Sequence, residues 1–279
     1  MSGEVRRLAA FTDAGRGGNP AGVLIGDVHP AETEMQQIAA DLGYSETAFV
    51  ARTSDRAAHV RYFSPQAEVP FCGHATIAAA VALAELDGSG PFTFATAAGE
   101  VPVATSSDGG ALTATLTSVP TRTRALPEGF LAEILPVLGW AETDLDPALP
   151  PAFAYAGAWH LVLAVAQLAT LETLAYDFDA AARLMAAHDL TTLQLVHRVG
   201  PSLFRSRNPF PPGGVVEDPA TGAAAAALGG YLRERGVLTP PASFVVEQGV
   251  ELGRPSRLLV ELAPGEPGVR VTGTASAIS

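Results

Sequence analysis

Cysteine, long apolar runs and an excess of basic residues are all missing from this chain. Cys72 is the single cysteine, so an internal disulfide and a cysteine-based structural zinc site are both excluded. The start of the chain has no apolar stretch long enough for a signal peptide, and the most apolar helix candidate, residues 75–86, is far shorter than a bilayer span. We therefore expect a cytoplasmic, soluble protein.

Basic residues are scarce relative to acidic ones. The 17 Lys and Arg stand against 29 Asp and Glu, which gives a net charge of -12. Such a field repels phosphate backbones and anionic lipids, so we expect neither nucleic acid nor a membrane surface as partner. An anionic small molecule must then be held by local dipoles or by a few Arg side chains. The 279 residues, 48% of them hydrophobic, suit one large or two ordinary folded domains.

Short segments rich in Val, Thr, Phe or Leu alternate with a few helical ones. The helical patterns cover residues 31–42, 75–86, 130–138, 180–188 and 220–235. The second and the last of these are Ala-rich and nearly all apolar, which predicts helices buried on all sides. Many short strands with a few buried helices indicate an α+β fold in which sheets curl around helices.

An internal repeat is the most informative feature. The segment RYFSPQAEVPFCGHATIAAAVAL in the first half resembles RSRNPFPPGGVVEDPATGAAAAALGGYL in the second, and residues 74–80 align without gaps on residues 219–225. In each copy an Arg, an aromatic with Pro, and an acid (Glu68 or Glu217) precede the helix. The repeat predicts two similar lobes, residues 1–122 and 123–279, and leaves the final strand free to pack on the first lobe.

The two Ala-rich helices each follow a turn, and their starts are candidate anion sites. Free backbone N–H groups and the helix dipole favour negative charge there. Small residues let a ligand approach the backbone closely, or simply permit tight helix packing: Gly73, Ala75, Gly222 and Ala223. Two such starts facing one ligand would hold a carboxylate without any Lys.

Four residues carry candidate chemistry, and three of them, Cys72, His74 and Asp218, lie at these helix starts. Glu46, in GYSETAFV, is either a surface acid at a strand start or a buried general acid and base. His74 is either a hydrogen-bonding group of the site or a cap of the turn, and Asp218 is a helix cap, a catalytic group or both. Cys72 is either an acid–base thiol or a small buried apolar residue.

Other sites are not indicated. The Gly-rich turn GRGGNPAGV, which contains Asn19, lacks the dinucleotide-binding spacing, and the chain has no GKS or GKT, HExxH or GxSxG motif. The remaining histidines show no metal-ligand spacing: His29, His59, His160, His188 and His197.

Five motifs, in order along nearly the whole chain, resemble the phenazine-biosynthesis PhzF-like family: FTDAGRGGNPAGV, GYSETAFV, RYFSPQAEVPFCGHATIAAA, VVEDPATGAAAAAL and VRVTGTASAI. The resemblance implies the duplicated fold of diaminopimelate epimerase, with two pseudo-symmetric lobes that each curl a mixed sheet around a central helix and an active site in the cleft between them. It also implies a homodimer with neither a cofactor nor a metal. The family's best-known activity isomerises trans-2,3-dihydro-3-hydroxyanthranilate, with one carboxylate moving a proton from one carbon to another.

The resemblance assigns roles to matching residues. Glu46 corresponds to the proton shuttle, His74 and Asp218 to groups that position substrate and assist proton movement, and Gly73 and Gly222 lie in segments that receive the substrate carboxylate. The residues that we expect to bind substrate are Asn19, Ser45, Gly73, Ala75, Thr221, Gly222 and Ala223.

Cys72 departs from the family pattern, because it resembles the first catalytic cysteine of the epimerase relatives. The second lobe offers Asp218 and no thiol there, so a two-cysteine mechanism is excluded. Our favoured hypothesis is a proton-shuttle isomerase acting on a small carboxylic acid. The alternatives are an amino-acid epimerase or racemase using Cys72 and Asp218, and a non-catalytic dimer that binds metabolites.

Overall fold

The computed structural model describes residues 4–278, except for the side chain of Asp108. The chain forms two compact units, one comprising Met1–Thr117 with Thr272–Ser279 and the other comprising Ser118–Val271. Among the described helices, none combines the length and the apolar character that a bilayer crossing requires.

Within the described residues, the first unit contains two helices and eight strands, in addition to most of the last strand of the chain. Its strands are β1 (Arg6–Ala10), β2 (Asn19–Gly26), β3 (Glu46–Ser54), β4 (Ala57–Phe63), β5 (Glu68–Val69), β6 (Gly90–Thr96), β7 (Gly99–Asp108) and β8 (Ala111–Thr117). Its helices are α1 (Glu32–Leu42) and α2 (Gly73–Asp87).

The second unit contains four helices and nine strands. Its strands are β9 (Arg122–Arg124), β10 (Ala152–Tyr155), β11 (Trp159–Ala164), β12 (Leu190–Gly200), β13 (Leu203–Arg207), β14 (Pro209–Phe210), β15 (Val215–Glu217), β16 (Ala242–Gln248) and β17 (Ser256–Leu262). Its helices are α3 (Phe130–Leu138), α4 (Leu168–Glu172), α5 (Phe178–Ala187) and α6 (Gly222–Glu234), with short 3-10 turns at Glu142–Asp144 and Pro211–Gly213. The last strand, β18 (Arg270–Ala277), belongs to the first unit from Thr272 onward.

Helix α2 is the centre of the first unit. The strand order is β1-β2-β3-β4-β6-β7-β8-β18, and β18 pairs back onto β1, so the sheet closes on itself. The helix packs against strands β1, β2, β3, β7 and β8, and every residue from His74 to Ala84 is buried. Alanine side chains let the strands approach the helix closely on all sides. The predicted all-round burial is confirmed.

Helix α6 has the same place in the second unit. The strands run in the order β9-β10-β11-β12-β13-β16-β17, and α6 packs against both end strands as well as β10, β11 and β12. A Cβ added at Gly230 would lie 2.3 Å from Thr121 Oγ1, so only glycine fits there. On the outside, α3 and α5 share an apolar cluster that includes Phe130, Leu163 and Met185.

The connections of the two units repeat, as the sequence repeat predicted. Strands β2 and β3 are parallel and joined through α1, while β11 and β12 are parallel and joined through α4 and α5. In the same way β4 and β6 are parallel and are connected through α2, and β13 and β16 are parallel and are connected through α6. The predicted α+β fold, with a curled mixed sheet around a central helix in each unit, is confirmed.

Some predicted boundaries are wrong. Helix α2 begins at Gly73 instead of residue 75, and α6 begins at Gly222 instead of residue 220, because Thr221 keeps an extended backbone. The sequence analysis missed β13, whose Arg205 and Arg207 made the segment resemble a loop. Both charges are neutralised in the fold by ion pairs, with Glu251 and Glu217 respectively.

Candidate active site

Glu46 opens β3, directly after helix α1. That helix ends at Gly43, whose left-handed backbone (φ 66°) turns the chain back toward the sheet. Strand β3 then runs parallel to β2, with Glu46 opposite Ala21. The Glu46 side chain is only 18% exposed. Of the two alternatives that the sequence left open, the structure therefore favours the largely buried carboxylate.

Cys72 and His74 place polar groups against the Glu46 carboxylate. The Cys72 thiol donates to Glu46 Oε2 at 3.4 Å, and His74 Nε2 lies 3.5 Å from the same oxygen. Cys72 Sγ is 3.3 Å from His74 Nδ1, and Ser45 Oγ is 3.4 Å from His74 Nε2. Both Cys72 and His74 are buried. We call Ser45, Glu46, Cys72 and His74 the Glu46 cluster.

The cluster bears on two alternatives from the sequence. Cys72 is buried, as the apolar alternative predicted, but its thiol also contacts a carboxylate and an imidazole, so its role as an acid–base thiol stays a prediction. The prediction of His74 as the cap of the turn is wrong, since His74 lies inside α2 and Cys72 occupies the N-cap position. Both side chains are thus available to the carboxylate instead of to the helix end.

The first turn of α2 is held by a buried tyrosine that the sequence analysis did not identify. Thr76 Oγ1 donates to the Cys72 carbonyl at 2.6 Å, so the Tyr62 hydroxyl, also 2.6 Å away, donates to Thr76. Burial raises the pKa of Tyr62, which keeps the phenol protonated and able to donate. A tyrosine on β4 carried no sequence signal for this role.

The N-terminus of α2 is open toward a ligand. Within the described residues, its N-cap position makes no side-chain capping bond and its first turn carries no acidic residue. Helix α5 shows the usual alternative, because Asp177 caps it by accepting from the Ala180 N–H at 2.9 Å. A Cβ placed at Gly73 would meet no atom within 4 Å. The N–H groups at this start therefore suit an anion.

The start of α6, in the second unit, is built around Asp218. The sequence suggested that Asp218 is the N-cap of α6, but Thr221 occupies that position. Thr221 Oγ1 instead donates to Asp218 Oδ2 at 2.6 Å. Gln248 Nε2 donates to the Asp218 carbonyl at 2.6 Å and to Thr221 Oγ1 at 3.0 Å. The sequence analysis missed Gln248, because a single polar residue in a strand gives no pattern that marks it.

An ion pair fixes the residue next to Asp218. Arg207, on β13, forms a bidentate pair with Glu217, with Nε 3.1 Å from Oε2, and Nη1 donates to the carbonyls of Leu171, Glu172 and Leu174 at 3.2 to 3.3 Å. The Asp218 N–H donates to the carbonyl of Asn208 at 3.0 Å. The Arg207 ion pair and the Asn208 carbonyl thus hold the backbone on either side of the Glu217–Asp218 bond in place.

The predicted substrate-binding residues fall in both units. In the first unit Asn19 begins β2 and is buried, Ser45 belongs to the Glu46 cluster, and Gly73 and Ala75 lie in the first turn of α2. In the second unit Thr221, Gly222 and Ala223 form the start of α6. Their contact with substrate stays a prediction.

A buried polar group in the second unit was also missed. His160, Gln194, Ser206 and Asn208 are each at most 1% exposed, and each has a buried polar atom without a partner among the described residues. His160 Nδ1 lies 2.8 Å from Thr192 Oγ1, and burial lowers the pKa of His160 to about 3, so its ring is neutral. His160, Gln194 and Ser206 lie on the paired strands β11, β12 and β13, and Asn208 directly follows β13, so only pairing in the sheet brings them together.

Residues 8–279 match the model of the PhzC-PhzF family, described as phenazine biosynthesis-like protein. This chain belongs to that family. It is 31% identical over 282 residues to the uncharacterized isomerase YfhB of Bacillus subtilis, covering 98% of this chain and 95% of the relative. It is 32% identical over 251 residues to the trans-2,3-dihydro-3-hydroxyanthranilate isomerase of Pseudomonas chlororaphis, covering 89% of this chain and 86% of the relative.

The family's fold is seen in a solved structure, the phenazine biosynthesis protein of the PhzF family from Bacillus anthracis. The match has a TM-score of 0.89 and 24% identity, and it covers 100% of this chain and 98% of that one. The predicted family and fold are confirmed, and the chain is an enzyme of the isomerase type. The hypothesis of a binding protein without activity is set aside.

Proposed function

We propose that this PhzF-family isomerase moves a proton between two carbons of a small carboxylic acid, with Glu46 as the acid and base. The observation that carries the proposal is the Glu46 carboxylate, largely buried, with one oxygen in contact with the Cys72 thiol and the His74 ring. A carboxylate positioned in a mostly dry site, close to an open helix start, suits proton transfer from carbon.

The start of α2 is the proposed binding site for the carboxylate group of the substrate. The N–H groups of its first turn and the helix dipole would hold the substrate carboxylate. Glu46 would take a proton from carbon, and the electron pair of that C–H bond would shift into the conjugated system. The Glu46 acid, whose side chain is 18% exposed and can exchange its proton with water, would then deliver a proton at another carbon. The step balances without an oxidant or reductant, so no organic cofactor is required. His74 and Cys72 would position the Glu46 carboxylate between its two transfers.

The substrate class rests on two supports. The relative from Pseudomonas chlororaphis is named for isomerisation of an anthranilate derivative, which is a cyclic carboxylic acid. The chain's net charge of -12 disfavours anions in general, and a helix start without an acidic residue or a side-chain cap is a local exception to that field. The role of Asp218, the homodimer, the biosynthetic role and the cytoplasmic location stay predictions.

Epimerisation is a second candidate, because the Cys72 thiol lies in a polar contact instead of an apolar pocket. Inversion at one carbon needs an acid or base on each face, and Cys72 would supply one of them. A Cys72→Ser enzyme with full activity would rule this candidate out. Under the favoured proposal the serine hydroxyl still donates to Glu46, so we expect activity to fall by less than about tenfold, the effect of a weakened hydrogen bond.

The direct test exposes the enzyme to a panel of small cyclic acids and amino acids in deuterated water. Deuterium entering one carbon identifies both the substrate and the proton-transfer class. We expect Glu46→Gln to fold normally and to lose about 100-fold to 10,000-fold of that exchange, because the amide cannot shuttle a proton. Glu100→Gln, the same change at an exposed position on β7, is the matched control. Exchange at the normal rate in the Glu46→Gln enzyme would remove Glu46 from the mechanism.

A further inference from the structure

Three members of the Glu46 cluster are ligand types that bind zinc. Glu46 offers a carboxylate oxygen, Cys72 a sulfur and His74 a ring nitrogen, and these atoms all lie within 4.8 Å of one another. Zinc sites with an open coordination position use three such protein ligands and a water. The single cysteine of the chain therefore lies in a group that meets the composition of a zinc site.

The distances between the three atoms also fit. Two ligands on a tetrahedral zinc, at bond lengths of about 2.0 to 2.3 Å, are separated by about 3.3 to 3.6 Å. Here Cys72 Sγ is 3.4 Å from Glu46 Oε2, Glu46 Oε2 is 3.5 Å from His74 Nε2, and His74 Nε2 is 3.9 Å from Cys72 Sγ. Only the last separation must shorten, and a small rotation of the imidazole ring does that.

Charge and access favour a cation at this cluster. The Glu46 carboxylate and the Cys72 thiolate that forms on metal binding carry two negative charges, which exceed the roughly half-unit positive charge at the start of α2. The net charge of -12 adds a long-range attraction for divalent cations. Glu46 is 18% exposed, so the carboxylate faces a route to solvent, and the space beside Gly73 is open. The buried thiol and imidazole complete the site from the inner side.

We propose that Glu46, Cys72 and His74 bind Zn²⁺ as an inhibitor of the enzyme. Binding forms a Zn–S bond and releases the thiol proton to water. The metal occupies the oxygen of Glu46 that faces the cluster, and its charge opposes protonation of that carboxylate, so the proton shuttle stops. The inhibitory half rests on the proposed function of Glu46, whereas the binding half stands on the geometry alone.

The test of binding uses the full chain, stripped of metal with EDTA and then freed of the chelator. Cobalt(II) is the probe, because a thiolate ligand gives it a charge-transfer absorption band. Cys72 is the single thiol, so this band reports the cluster directly. We expect one cobalt per chain, a thiolate band, and loss of the band when zinc is added in competition. Absence of the band would overturn the proposal.

Variants separate a three-ligand site from adventitious binding at a thiol. Loss of an indirect support of a metal ligand already weakens binding by about 10-fold to 100-fold, so Cys72→Ser and His74→Gln should each weaken cobalt binding by at least about 100-fold. His59→Gln, an exposed histidine on β4, is the matched control and should bind cobalt as the unmodified chain does. Unchanged affinity in His74→Gln would overturn the three-ligand site.

Inhibition by zinc is tested separately from binding, by measuring deuterium exchange into the substrate. One equivalent of zinc should abolish deuterium exchange into the substrate, and EDTA should restore it. If zinc binds at the cluster while exchange continues at the full rate, inhibition is wrong although the site stands. If no acid of the panel exchanges deuterium even without metal, the proposed function fails, and the cobalt titration still decides the site.

Discussion

The Arg207–Glu217 pair allows a stability prediction with a worked magnitude. The Glu217 side chain is 4% exposed and that of Arg207 is 10% exposed, so the two charges are almost fully removed from water. Breaking such a pair by neutralising one partner leaves an uncompensated buried charge, which costs about 3 to 5 kcal/mol. In Glu217→Gln the amide oxygen still accepts one of the two guanidinium bonds, and Arg207 keeps its three carbonyl partners. We therefore expect Glu217→Gln to lower the free energy of unfolding by about 3 kcal/mol, the low end of that range.

The assay follows from where the tryptophans lie. The chain has two, Trp140 and Trp159, and both belong to the unit that contains the ion pair. Urea unfolding followed by tryptophan fluorescence therefore reports that unit. With a slope of about 2 kcal/mol per molar urea, a loss of about 3 kcal/mol lowers the midpoint by about 1.5 M at unchanged slope.

Glu247→Gln is the matched control, because Glu247 pairs with Arg257 in the same unit but at the surface. Their contact is 3.5 Å long and the side chains are 35% and 50% exposed, so the change should cost less than about 1 kcal/mol. Equal midpoints for the Glu217→Gln and Glu247→Gln proteins would refute the reasoning that burial makes the first pair matter.

Three further outcomes are expected. Gly73→Ala should fold normally, because its Cβ meets no atom within 4 Å, yet raise KM about tenfold if the methyl group hinders the approach of the substrate carboxylate to the backbone. An unchanged KM would contradict an anion site there. Gly230→Ala should lower unfolding stability by about 1 to 3 kcal/mol in the fluorescence assay, since its Cβ would lie 2.3 Å from Thr121 Oγ1. For His160, whose pKa is lowered from 6.5 to about 3 by burial, the unfolded chain binds the proton first. Its contribution to stability is therefore fully present above pH 6.5 and falls by about 1.4 kcal/mol per unit as the pH drops below 6.5. In NMR its ring signals should stay unchanged from pH 7 to pH 5, and a titration midpoint near 6.5 would contradict its burial.

The spacing of apolar residues, together with the glycines that follow them, was enough to predict the central helices. Apolar runs followed by glycines marked α1, α2 and α6, and the bounds of α3 were predicted correctly. Strands with conventional β-branched and aromatic residues were also predicted. Strand β13 was missed because a buried strand disfavours the charge of Arg207 unless partners surround it. The three carbonyl partners are 33 to 36 residues away, and only the fold brings them to Arg207 together with Glu217.

In the candidate site, too, the sequence predicted residues but not their contacts. Motif order predicted Glu46, Cys72 and His74 as candidate catalytic residues, but not that the thiol and the imidazole would contact the same carboxylate oxygen. Gln248 and Asn208 gave no signal, because a lone amide becomes informative only when its neighbours in space are known.

By itself the sequence determined the duplicated architecture, the family and the residue types of the site, because these depend on local pattern and on ordered motifs. Only the tertiary structure decided which of those residues touch, how deeply Glu46 is buried, and that Asp218 is not a helix cap but accepts from Thr221. The physical reason is that burial and hydrogen-bond geometry arise from strands and helices that meet across long separations in the chain. No local preference encodes such distances.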